Sequence, residues 1–418
     1  MAIPETNWAG NVTFGASRIL RPDSVTRLRA MVAGSSRARV LGTGHSFNRI
    51  ADTTGDLLWL DGLPQSVRID AQGQAVTVGA SVRYGDLAAR LHQAGYALHN
   101  LASLPHISVA GGCATGTHGS GDSSGCLATA VSALEMVTAD GQPVTVSRDS
   151  DGSQFPGMVV ALGALGVVTS MKLDIEPTYT VRQWVYQDLP RSRLDAHFAE
   201  IFSNAYSVSV FTDWRAPYAC NVWLKHRVDT DGTRTPPTRW LDARLAAAQL
   251  HPIPGMDPGP TTPQLGVPGP WHERLPHFRL GHTPSSGDEL QSEYLLPREQ
   301  AVRALAALDP IASQIAPVLQ IMEIRTIAAD DLWLSPCYQR DSAGFHFTWR
   351  PDTEAVTPVL AAIEERLAPF GARPHWGKLF LARPASLYPR LPDFAHLLTR
   401  YDPQGTFRNE FTDHYLLD

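Results

Sequence analysis

The sequence predicts an α+β protein in which two small mixed units, joined by glycine-rich loops, precede a larger antiparallel sheet with helices on one face. Three observations lead there. Short strand-like runs bounded by Gly, Asp-Gly or Pro recur between residues 12 and 177, with short helical stretches between them. After residue 178 a strand–helix–strand–strand order is read twice, the arrangement expected of a layered antiparallel sheet. Residues 97–121 end in a run of small residues, Gly111, Gly112, Ala114, Thr115, Gly116, Thr117, Gly119, Ser120 and Gly121. That run lacks the long side chains of a helix and the branched ones of a strand. It offers bare backbone that can approach a ligand and point N–H groups at an anion.

In chain order, Asp23 or Ser24 can cap a helix running to about Val32, with Gly34 as its stop. Ala38–Leu41, Leu57–Leu60, Val67–Asp70 and Ala75–Val78 read as strands, the last two joined by Ala71-Gln72-Gly73. Gly85-Asp86 starts a second helix that Gly95 ends. Ala133–Thr138 and Pro143–Ser147 read as a hairpin around Ala139-Asp140-Gly141. Phe155–Leu162 is expected as helix, and Val167–Ile175 as a strand stopped by Glu176-Pro177. Beyond Thr178, strands are expected at Tyr179–Asp188, Tyr206–Trp214 and Asn221–His226, with a helix at Arg191–Phe202. The Pro/Gly-rich segment of about Asp229–Gly287 reads as a packed lid with one helix, Leu241–Leu250. Leu290–Leu296, a helix from Arg298, Val318–Thr326, Gly344–Trp349 and a helix over Thr353–Leu367 complete the second half.

The 418 residues are 43% hydrophobic and 18% charged, which suits two or three domains with a sizeable core. A net charge of −6 argues against nucleic acid as a partner. Cys113, Cys126, Cys220 and Cys337 form no CxxC pair, so neither a disulfide framework nor a zinc site is expected. The N-terminal Met-Ala-Ile-Pro-Glu-Thr-Asn-Trp has no basic segment followed by an apolar run. The longest apolar run, Phe155–Val168, is broken by glycines and too short for a bilayer. A cytoplasmic monomer with no membrane partner is the expectation.

Gly42-Thr43-Gly44-His45-Ser46-Phe47-Asn48 resembles a dinucleotide fingerprint only superficially, because Phe47 stands at the third glycine position. It is a tight turn presenting one imidazole. Gly121-Asp122-Ser123-Ser124-Gly125 matches GxSxG but continues a glycine loop, whereas a nucleophile elbow needs a strand before it and a helix after it. His272-Glu273-Arg274-Leu275-Pro276-His277 is one residue too long for HExxH, and Pro276 would break the helix. No metal is expected. Glu323-Ile324-Arg325 lies in an apolar strand pattern, where period two puts both charges on one face. His346-Phe347-Thr348 repeats the arrangement, and Pro374-His375-Trp376-Gly377-Lys378 adds an imidazole and a cation. Charges in such strands are costly unless paired or lining a polar cavity.

Four motifs in fixed order resemble the vanillyl-alcohol-oxidase flavoproteins: Gly42–Ser46, the Ala102–His106 to Gly116–Gly119 loop, Gly163–Val168 and Gly405–Asn409. Among these the likeness is greatest to the alditol (xylitol) oxidases. The resemblance implies a PCMH-type FAD-binding domain in two α+β subdomains over 12–177; it does not imply a parallel nucleotide-binding sheet. It further implies a substrate cap over 178–378 and a segment, 379–418, returning to the FAD domain. It implies FAD linked covalently through His45, with further contacts from Val40, Leu41, Gly42, Thr43, Gly44, Ser46, Ser103, Ser108, Gly111, Thr115, Gly116, Thr117, His118, Val168 and His375.

By the same resemblance Ser103, Glu323, Arg325, Thr348 and Lys378 bind the substrate, and Arg325 and Lys378 stabilise the developing alkoxide. Ala102 would lie near the flavin C4a, where a small side chain leaves space for oxygen. The implied reaction oxidises the terminal primary hydroxyl of a linear polyol such as xylitol or sorbitol to the aldose, with oxygen reduced to hydrogen peroxide. A sugar-lactone oxidase or dehydrogenase of the same family is the alternative. A serine hydrolase using Ser123 and a flavin-free carbohydrate-binding protein are the readings from other classes.

Overall fold

Ser24 opens the first helix, Val25–Ala33, its hydroxyl accepting from the Arg27 N–H at 3.3 Å, and Gly34 closes it. The computed structural model describes residues 5–215, 219–231, 235–283 and 285–417. The start of the N-terminal stretch and two parts of the expected lid, 232–234 and 284, therefore lie outside the described residues. That first helix carries the chain from β1 (Arg18–Leu20) to β2 (Ala38–Leu41). With β3 (Asp56–Trp59) they form a parallel sheet in the order β1-β3-β2. The helix is the crossover that parallel strands require. The chain continues through β4 (Val67–Asp70), β5 (Ala75–Gly79), β6 (Tyr96–Ala97), β7 (Val131–Val137), β8 (Pro143–Ser147), β9 (Val167–Asp174) and β10 (Glu176–Pro177). An antiparallel sheet, β4-β5-β9-β7-β8, forms the second unit, and β6 pairs with β10.

Arg39, on β2, ties these units together. Its buried guanidinium donates to the carbonyls of Ile50, Leu162, Gly163 and Phe407, so the Gly163 and Gly405 motifs converge on one side chain. Asn409 adds bonds to the carbonyls of Ile50 and Asp52, which packs the C-terminal segment against the first unit.

The large sheet contains β11 (Thr180–Pro190), β12 (Ser207–Thr212), β13 (Ala219–Arg227), β14 (Arg239–Trp240), β15 (Ala243–Leu245), β16 (Gly269–Pro270), β17 (Leu290–Pro297), β18 (Leu319–Ile327), β19 (Ser342–Trp349) and β20 (Arg373–Pro374). Its order is β14-β15-β11-β13-β12-β18-β19-β17-β20, with β16 on β11. The six central strands are mirrored about the β12/β18 seam: first, third and second strand of one half meet second, third and first of the other. Ser209 faces Arg325 and Phe211 faces Glu323 across that seam. On one face Val208, Val210, Met322, Ile324, Phe345 and Phe347 share a core with residues of the helices Ala301–Leu308, Ala312–Val318 and Thr353–Leu367. The last of these helices keeps its expected bounds. The alternate residues, Ser209, Glu323, Arg325, His346 and Thr348, occupy the opposite face.

Four local expectations fail. Leu241–Leu250 is no helix: Leu241 and Asp242 adopt φ of +50° and +68°, and they make the two-residue turn between β14 and β15. Pairing of β15 with β11 overrides the helical pattern. The small-residue run does contain a helix, Val109–Ala114, because its lack of side chains permits close packing. A Cβ on Gly112 would lie 3.0 Å from the Tyr84 ring. Arg191–Phe202 splits into Arg191–Ala196 and Phe198–Phe202 at His197. Phe155–Leu162 shortens to Pro156–Val159, and Leu162 turns out at φ +54°. No described helix is long and apolar enough to cross a membrane.

Candidate active site

The Gly42–Ser46 turn leaves β2 directly and runs against the start of the Val109–Ala114 helix. A Cβ on Gly42 would meet Ser108 Oγ at 2.6 Å, and one on Gly111 would meet the same atom at 2.8 Å. Gly44 sits at φ +71°, a left-handed conformation that glycine adopts without cost. Between turn and helix opens a cavity with about 1540 Å³ of empty space, its open mouth included. All residues expected at the cofactor line it except Gly116, which at φ +67° turns the chain after the helix and backs onto Pro336. Arg39, Ala80, Leu162 and Gly163 line it too and were not expected.

Both ring nitrogens of His45 are buried and have no hydrogen-bond partner. The ring stacks on Trp8, centroids 5.4 Å apart and 15° from parallel, and the Trp8 N–H donates to the Gly44 carbonyl at 2.8 Å. Burial, with His106 adding to it, pushes the imidazole down to about 4, so it is neutral at pH 7. A neutral, oriented and unpartnered imidazole between close-approach glycines fits a flavin held through His45. The bare backbone of Gly42 and Gly111 fits the rest of the dinucleotide.

At the inner end of the cavity the chain gathers charge. Glu293, on β17, accepts from Arg325 Nη2 at 2.5 Å and from Lys378 Nζ at 2.6 Å, and His118 Nε2 lies 3.3 Å away. Glu293, Glu323, Arg325 and His118 are buried and Lys378 nearly so, and two carboxylates, Glu293 and Glu323, balance two cations, Arg325 and Lys378. Burial opposes the charge of Glu293, yet Arg325 and Lys378 hold it well below the usual carboxylate range. Burial lowers Lys378 below its ordinary value, with Glu293 opposing and Arg325 reinforcing. Arg325 Nη1 also donates to Ser103 Oγ at 3.2 Å, joining β18 to the small-residue loop.

Glu323 and Thr348 are on the expected face but do not line the cavity. Glu323 stands behind Arg325, its Oε1 2.9 Å from His277 Nε2 and its Oε2 3.4 Å from His346 Nδ1. His346 Nε2 is buried, has no hydrogen-bond partner and belongs to a cavity-lining residue. Burial, then Lys378, pushes His346 to about 4. His375 accepts the Gly377 N–H at Nδ1, 3.1 Å away, which leaves its hydrogen on Nε2, 3.4 Å from Thr117 Oγ1. Ser123 lies exposed in a turn outside the cavity, with no nucleophile elbow around it. Among the described residues no His, Cys, Asp or Glu cluster could hold a metal.

Two family descriptions match the chain: "FAD binding domain" over residues 16–147 and "D-arabinono-1,4-lactone oxidase" over residues 288–415. An alditol oxidase from a Streptomyces species is 51% identical over 98% of both chains. An L-gulono-1,4-lactone dehydrogenase of Mycobacterium tuberculosis is 28% identical over 97% of both, and the L-gulonolactone oxidase of Mus musculus 26% identical over 97% of both. In three dimensions the chain resembles a cholesterol oxidase from B. sterolicum, with a TM-score of 0.76 at 14% identity over 98% of this chain and 96% of that one. A solvent-stable cholesterol oxidase gives a TM-score of 0.78 at 15% identity over 99% and 97%. The structural likenesses establish the PCMH-type fold, and the sequence relationship establishes the chain as an FAD-binding oxidoreductase of the alditol oxidase family.

Proposed function

We propose that this protein oxidises the terminal primary hydroxyl of open-chain alditols such as xylitol and sorbitol to the aldose, with oxygen as electron acceptor and hydrogen peroxide as product. The observation that carries the reading is the charge-balanced cluster of Arg325, Lys378, Glu293 and Glu323 at the inner end of the cavity. It offers strong donors to a reacting oxygen without an excess charge that would draw an anionic substrate. Bound FAD, covalently attached through His45, supplies the acceptor for the hydride of the alcohol carbon and passes the electrons to oxygen. Arg325 and Lys378 donate to the hydroxyl oxygen as its proton leaves. His346, its Nδ1–H directed to Glu323, presents Nε2 as an acceptor, and Arg325 Nε is a further buried donor awaiting a partner. Ser103 can bond another hydroxyl, with Thr348 deeper on the same face. The protein is read as a monomer of the cytoplasm.

Each substrate hydroxyl that is missing leaves such a group unpaired, at about 1–3 kcal/mol. Efficiency is therefore expected to climb from glycerol to five- and six-carbon alditols. The second reading, a sugar-lactone oxidase or dehydrogenase, is favoured by the description matching residues 288–415. Peroxide release and anaerobic flavin bleaching are measured over the alditol series with gulonolactone, galactonolactone and a 2-hydroxy acid alongside. A lactone turned over tenfold more efficiently than xylitol or sorbitol would favour that second reading.

Arg325→Ala is expected to slow flavin reduction about ten- to a hundred-fold, the worth of one charge-assisted hydrogen bond made in the transition state. Stopped-flow mixing with xylitol under nitrogen isolates that step. An unchanged rate would confine Arg325 to a structural role.

A further inference from the structure

Behind the cavity the cap sheet buries a second polar row that the proposed chemistry does not use. Lys225, on β13, is 1% exposed; its Nζ donates to the Leu275 carbonyl and to His277 Nδ1, the latter at 3.1 Å. His277 comes from the Pro-rich segment, and its backbone N–H donates to the Ser103 carbonyl at 2.8 Å. Its Nε2 lies 2.9 Å from Glu323 Oε1. These contacts select one tautomer. A lysine nitrogen brings the hydrogen, so Nδ1 accepts, and the ring carries its own hydrogen on Nε2 and donates it to the carboxylate. Burial, with Lys225 reinforcing it, pushes His277 down to about 4, so the ring is neutral. Burial pulls Lys225 down to about 7, and amine and ammonium can both donate to Nδ1.

The consequence is visible on the other side of Glu323. Its Oε2 stands 3.7 Å from Arg325 Nε, beyond hydrogen-bonding distance, and that Nε is buried with no hydrogen-bond partner. A buried carboxylate free to move would close the gap, because a hydrogen-bonded ion pair is much stronger than one held apart. His277 on Oε1 and His346 on Oε2 anchor the carboxylate where it is. We infer that Lys225 and His277 are positioning residues that hold Glu323 off Arg325, so that Arg325 Nε stays available to a substrate hydroxyl. That hydroxyl would accept from Nε. The inference rests on the polyol reading above.

The test compares flavin-loaded wild type with Lys225→Met, His277→Leu and His277→Gln, using glycerol, xylitol and sorbitol. In Lys225→Met and His277→Leu, KM for xylitol and sorbitol is expected to rise about tenfold while kcat stays within about twofold. His277→Gln keeps an amide donor for Glu323 and is expected to recover most of that affinity. The visible spectrum of the flavin is expected to be the same in all four proteins. Unchanged KM in both Lys225→Met and His277→Leu overturns the inference, as does a loss that His277→Gln shares in full. If His277→Leu yields no folded protein, Lys225→Met and His277→Gln decide by the same readings. Failure of the polyol reading shows separately, in the wild type, as a preference for gulonolactone over every alditol, and the inference then falls with it.

Discussion

Glu293→Gln is expected to be among the most damaging single substitutions in the large sheet, costing about 3–5 kcal/mol of stability, the usual effect of removing one partner from a buried ion pair. The carboxylate accepts from both Arg325 and Lys378 and is 1% exposed, so its loss leaves two buried cations facing a neutral amide. Lys378 offers partial relief. Burial already draws it below its ordinary value, and without Glu293 it would shed its proton more readily, moving the cost toward the lower end. The same proton loss would remove one of the two charged donors from the reacting oxygen, so turnover should fall together with stability.

The pH dependence separates this from a packing defect. Glu293 is held well below its ordinary value of 4.5, so its contribution is fully present above that value and is lost as pH falls through its folded pKa. Urea denaturation of wild type and Glu293→Gln should show a constant gap above about pH 5 that narrows progressively below pH 4.5. A gap independent of pH down to pH 3 would mean that lost packing, not lost charge, is responsible.

How far the sequence could be read depended on whether the determining contact was local. The cap at Ser24, the Asp-Gly hairpin and the helix Thr353–Leu367 are set by residues within one or two turns, and all were legible. Glu323 and Arg325 were legible because charges are conspicuous in an apolar strand. Gln291 and Glu293 carry the same signal in β17, and the same rule applied there would have found the group on which Arg325 and Lys378 converge. Trp8 and His277 had no such signal: each meets its partner, His45 or Glu323, only through the tertiary fold. The failed helix at Leu241–Leu250 has the same origin, since its residues are recruited by the edge of a sheet that no local pattern announces.

His45→Ala is expected to abolish covalent flavin attachment completely while leaving the cradle able to bind FAD reversibly. The imidazole is the one nucleophilic side chain in the Gly42–Ser46 turn that is neutral, desolvated and without a partner on either nitrogen. A nitrogen already engaged in a hydrogen bond would have to break it before forming a carbon bond. His45 has nothing to break, and Trp8 stacked on its face keeps the ring oriented. The glycines of the turn and helix are untouched by the substitution, and the Ser108 N–H still donates to Thr43 Oγ1 at 3.2 Å. Reversible FAD binding should therefore survive, weakened by the loss of the tether. Purified wild type precipitated with acid should carry its yellow colour into the pellet, and the variant should release all of it to the supernatant. Flavin persisting in the variant's pellet would assign the linkage to another residue and leave the two bare nitrogens of His45 unexplained.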